Sequence, residues 1–123
     1  PDFSGVSEAA QAAYLAQATL LMAAQGVRAA CWYTLGDGPK PSNVIPEAQF
    51  GLFRWQEDSP AQSPPVAKPA YEALVELSQA VGDLSFVEDR SEPGRRVLVF
   101  GDAAGRRVQA SWPSGSGDLP IYD

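Results

Sequence analysis

One run constrains this chain more than any other: Val27–Leu35, VRAACWYTL, entered directly from Gly26 and followed by about thirty residues rich in Pro, Gly, Ser, Asn and Gln. The run is too short for a second helix and too apolar for a strand with one wet face. Such a pattern predicts a strand buried on both faces, as in a parallel sheet. It ends in two adjacent aromatics, Trp32 and Tyr33, and then in Asp37-Gly38. A loop as long as Gly36–Ala67 within a compact domain is functional or disordered. Its QFGLFRW stretch, Gln49 to Trp55, holds three aromatics and is expected to pack against something.

Two helices flank this region. Ser7–Gln25 is alanine-rich, with Ser7 placed to cap the first turn, Glu8 at the positive end of the dipole and Gly26 as the stop. Its expected inward face is Tyr14, Ala18, Leu21 and Met22. Lys68–Val81 opens with Pro69 at the first helical position, and its expected stripe is Tyr71, Leu74, Val75, Ser78 and Val81. After Asp83 the period falls to two. LSFVED, RRVLVF and RRVQASW read as strands, with GDAAG as a hairpin loop between the last two. Val108, Ala110 and Trp112 alternate with Arg107, Gln109 and Ser111, the mark of an antiparallel strand with one buried side. LPIYD is a further strand candidate. A boundary is expected near Gly82–Leu84, dividing residues 1–82 from a β region at 83–123.

Composition excludes several chemistries. The 123 residues carry a net charge of −6, with no basic cluster longer than two residues, which argues against nucleic acid. No apolar run approaches the roughly 20 residues of a membrane span. There is no histidine, so neither a Ser-His-Asp nor a Cys-His centre exists within the chain. Cys31 is the only cysteine, and its apolar neighbours predict a buried small hydrophobe rather than a nucleophile. The opening PDFSGVSE reads as a loop already under way, suggesting a start inside a larger protein.

QAAYLAQATLLMAAQGVRAACWYTLGD, then FGLF, then KPAYEAL resembles the end of a TIM-barrel glycoside hydrolase of the cellulase-like and β-xylosidase-like retaining clan. In those families a QA.YL pattern (here Gln11, Ala12, Tyr14 and Leu15) lies on the helix before the last strand. A Trp-containing strand end followed by Asp (Trp32, Tyr33 and Asp37) comes next, then FGL (Phe50 to Leu52) and a final helix opening KPAY (Lys68 to Tyr71). The resemblance implies an α/β fold: the last strand and helices of a (β/α)8 TIM barrel, followed by antiparallel strands of a small β-sandwich. It implies a parent enzyme that cleaves β-glycosidic bonds by a two-carboxylate retaining mechanism, secreted or periplasmic or at the cell surface, with no metal and no organic cofactor. The catalytic glutamates of those families would precede Pro1, so no catalytic residue is assigned here.

Trp32, Tyr33 and Asp37 are the expected substrate-binding residues. Aromatic faces take the C–H face of a sugar and polar groups take its hydroxyls. Successive residues on a strand point to opposite faces, so Trp32 or Tyr33, with Trp32 favoured, faces the sugar; the alternative is that both are core residues. Asp37 reads either as a hydrogen-bonding group, to a sugar hydroxyl or to a neighbouring loop, or as a turn residue in Asp-Gly. Phe50, Phe53 and Trp55 either line the outer cleft or plug the loop onto the body. Glu47, Glu57 and Asp58, on a long loop, lack the rigid spacing of about 5 Å that a retaining pair requires. Arg95, Arg96, Arg106 and Arg107 read as a solvated strand surface, or as partners of the acidic residues, rather than as an anion site. The expected partners are an oligo- or polysaccharide and a surface, from another copy or a missing portion, that covers the apolar faces. A non-catalytic carbohydrate-binding module is the alternative reading.

Overall fold

A computed structural model describes residues 6–38, 50–54 and 64–115. Its elements are α1 (Glu8–Ala24), β1 (Phe53–Arg54), β2 (Val66–Ala67), α2 (Pro69–Ala80), β3 (Ser85–Asp89), β4 (Arg95–Gly101) and β5 (Arg107–Pro113). β1 and β2 form an antiparallel ribbon, and β3, β4 and β5 form an antiparallel sheet with β4 in the centre. The Ser7 hydroxyl caps α1 by accepting from the Ala10 N–H at 3.1 Å, as the sequence predicts. Gly26 and Gly82 take positive φ just beyond the helices, at 81° and 46°, the conformation that a side chain would penalise.

The two helices pack against each other, and two apolar clusters hold the fold together. The first joins Leu15 of α1, Leu52 and Ala70 of α2, flanked by Ala12, Phe53 and Leu74. The second joins Leu20 to Leu98 and Phe100 of β4, flanked by Leu21, Ala24, Leu77, Val81, Leu84, Ala110 and Trp112. α1 therefore serves both clusters at different levels along its length. Its inward face only partly follows the expected one: Leu21 packs on the second cluster, but the buried residues are Leu15 and Leu20, and Tyr14 is exposed. With so many alanines on the helix, periodicity gives little direction. On α2 the inward positions are Ala70, Leu74 and Leu77, continued by Val81 at its C-cap, while Val75 and Tyr71 are partly exposed, Tyr71 against the ring of Phe53.

The predicted barrel portion does not form. The described residues hold two helices and two small antiparallel sheets, and their one parallel pairing is an isolated bridge from Gly36 to Phe53. Val27–Leu35 is neither helix nor strand, and Val27, Trp32, Tyr33 and Leu35 are exposed. A strand buried on both faces requires a neighbour at each edge, and among the described residues no ladder reaches positions 27–33. Cys31 is exposed for the same reason, contrary to the buried position expected of it.

The three-stranded sheet follows the sequence expectation closely. β4 and β5 pair from Arg95↔Pro113 to Gly101↔Arg107, and residues of β5 alternate between exposed and half-buried. β3 pairs with β4 through a register shift between Phe86 and Glu88, which leaves Val87 exposed. The sheet is not half of a two-sheet sandwich: its Leu98–Phe100 face packs on the helices, where a second sheet would otherwise lie. The architecture is a two-layer α+β arrangement. LPIYD lies outside the described residues.

Candidate functional site

The carbonyl of Phe50 organises the aromatic end of the molecule. It accepts from the Trp32 indole N–H at 3.0 Å and from the Gln11 amide at 3.4 Å, and Gln11 also donates to the Gly51 carbonyl at 3.2 Å. The indole's only polar atom is thus engaged internally, so the ring has only its apolar faces to offer. The residue is 39% exposed. Tyr33 follows at 69% exposed, and Phe50 itself is 43% exposed. Trp32 and Phe50 therefore both meet solvent beside one fixed carbonyl, and Tyr33, next to Trp32 in the chain, is exposed as well. A shallow depression on the described surface lies elsewhere, lined by Gly94, Arg95, Ser111, Trp112 and Pro113 of the sheet.

Asp37 occupies a different kind of place. Its Oδ1 accepts from the Lys68 ammonium at 2.7 Å and from the Gly51 N–H at 2.8 Å. Both side chains are largely withdrawn from solvent, Lys68 at 4% and Asp37 at 13% exposure. The surrounding backbone is equally engaged. Asp37 N–H donates to the Phe53 carbonyl at 2.8 Å, Leu52 N–H to Leu35 at 2.9 Å, and Lys68 N–H to Leu52 at 2.9 Å. Gly51 lies so close to Gly36 and Asp37 that a Cβ there would collide with their backbone. Of the readings open for Asp37, a ligand to a sugar hydroxyl, a hydrogen bond to a neighbouring loop or a turn residue, these contacts to Gly51 and Lys68, 14 and 31 positions away, are of the neighbouring-loop kind.

Phe53 faces the body of the protein. Its ring lies 4.6 Å from that of Tyr71, tilted by 46°, and it packs on the Leu15–Leu52–Ala70 cluster. This is the plug arrangement, with Arg54 pinned outside by Glu8 at 2.7 Å. Glu47, Trp55, Glu57 and Asp58 lie outside the described residues. The arginines of the sheet are engaged locally. Arg106 bridges Asp102 and Asp83 at 2.7 and 3.0 Å, Arg96 faces Asp89 at 3.8 Å, and Arg95 donates to Ser111.

Sequence reasoning missed Lys68 and Gln11 as individuals, although both lie in segments singled out above. A signal was present for Lys68. It occupies the N-cap of α2, where Ser, Thr, Asp or Asn is favoured, and makes no side-chain cap there. A long cation in that place points to another employment for its ammonium. Among the described residues no group of three His, Cys, Asp or Glu side chains is arranged to hold a metal ion, and no helix is long and apolar enough to cross a membrane. No family model matches the chain, and neither a curated protein nor a solved structure is significantly similar to it.

Proposed function

We propose that this chain is the sugar-contacting portion of a glycoside hydrolase acting on β-linked glycans, with Trp32 as the stacking platform and Tyr33 beside it. The catalytic carboxylates lie elsewhere in the parent protein. One observation carries the reading: the Trp32 N–H is tied to the Phe50 carbonyl while its ring stays in solvent. An exposed indole with no free polar group is suited to the C–H face of a pyranose, because the π face meets weakly polarised hydrogens and loses no hydrogen bond in doing so. The exposed apolar residues of 27–35 are, on the same reading, the surface that packs on the rest of the parent or on another copy.

A second reading, a non-catalytic carbohydrate-binding module, needs the exposed aromatics alone and no carboxylate outside the described residues.

Titration of the chain with cellohexaose and xylohexaose tests the shared part. Trp32→Ala is expected to weaken binding by about tenfold, the scale of one lost aromatic contact. Unchanged affinity would count against the platform. The reading frame upstream of Pro1 separates the two classes: a strand ending in Glu supports the hydrolase, and its absence supports the module.

A further inference from the structure

The buried ion pair and the exposed indole are joined by a short, continuous path. The Lys68 ammonium is 2.7 Å from Asp37 Oδ1, and the same oxygen accepts from Gly51 N–H at 2.8 Å. Gly51 is bonded to Phe50, whose carbonyl accepts from Trp32 Nε1 at 3.0 Å. A glycine is required at the middle of this path, because any side chain there would strike the Gly36–Asp37 backbone. We infer that Lys68 is a positioning residue for Trp32: through Asp37 and the Gly51 amide it fixes the Phe50 carbonyl, and with it the pose of the indole.

Three observations support a positioning role over general support. Lys68 is the one buried charged residue among those described, at 3% exposure, so its ammonium is held away from competing water. Its backbone N–H already bonds the Leu52 carbonyl at 2.9 Å, a contact that survives any change of side chain. Removing the ammonium therefore loosens the Asp37 end of the path while the α2 start stays attached. The Gln11 amide braces the Phe50 carbonyl from the other side, which makes that oxygen a point fixed by two elements rather than a free loop atom. The inference rests on the carbohydrate reading only for its purpose, since the pose of the indole is measurable without any sugar.

The test is the indole N–H exchange of the full chain, read by ¹⁵N-edited NMR. The chain has three tryptophans, and Trp112, packed on the second cluster, serves as the internal control. Lys68→Met is expected to shift the Trp32 signal and speed its exchange about tenfold, leaving Trp112 unmoved; Lys68→Arg should restore part of the protection. If the single variant does not fold, Asp37→Asn/Lys68→Met removes both charges together and is expected to act on Trp32 in the same direction. An unchanged Trp32 signal in either folded variant overturns the inference, as does an equal change at Trp112. A parallel cellohexaose titration keeps the two ideas apart. If the wild-type chain binds no sugar, the carbohydrate reading falls, and the indole exchange still decides the role of Lys68.

Discussion

At the scale of single residues, the fit around Gly51 is the most demanding contact described. A Cβ at Gly51 would meet the Asp37 and Gly36 backbone and come within 2.8 Å of Asp37 Oδ1, whereas a Cβ at Gly36 meets nothing within 4 Å. Gly51→Ala is therefore expected to cost about 1–3 kcal/mol, in the range of overpacked sites, and Gly36→Ala close to nothing. Urea midpoints of the two variants check the contrast, provided the slopes stay equal. The sequence alone showed the FGL segment and expected it to pack, but it could not show that Asp37 and Lys68, thirty-one positions apart, share an oxygen-to-ammonium contact. Such pairs are properties of the folded path and leave no local signature beyond an ill-suited N-cap.

At the scale of elements, legibility followed the strength of the local period. The two helix spans, the Ser7 cap and the three strands of the sheet were readable because capping chemistry and alternation are local. Val27–Leu35 departs from the buried strand its sequence predicts because an apolar run reports composition, while burial depends on neighbours that a run cannot reveal. The β4–β5 hairpin carries its own electrostatic lock. Asp102 accepts from both the Arg106 backbone and its guanidinium, at 3.0 and 2.7 Å. The side-chain bond from Arg106 is the first cause holding the Asp102 carboxyl below its usual value. The folded state thus favours the ionised form, and the resulting stability is present above the unfolded value of about 4 and lost as pH falls through the lowered one. Melting temperatures between pH 5 and pH 2 should show a decline that Asp102→Asn makes shallower. The difference should shrink in high salt, because the pair is exposed.

At the scale of the whole molecule, the second cluster ties the helical layer to the sheet. Phe100 is almost wholly enclosed there, against Leu20 of α1 and Leu98 beside it, with Phe86 edge-on at 5.9 Å. Phe100→Ala is expected to cost about 3–5 kcal/mol, a large share of the stability of a domain this size, and to loosen helices and sheet together in one cooperative transition. Coincident loss of far-ultraviolet ellipticity and Trp112 fluorescence would verify that coupling; separate midpoints would refute it. The architecture as a whole was the least legible level, since the helices cover the sheet face where a sandwich partner was expected and the barrel strand found no neighbours. The exposure of Cys31 has a practical side. The chain's sole sulfhydryl lies in solvent one residue from the indole, so a dye attached there would act as a sentinel: anything that settles on the aromatic end, glycan or polypeptide, would announce itself by slowing the labelling or dimming the dye.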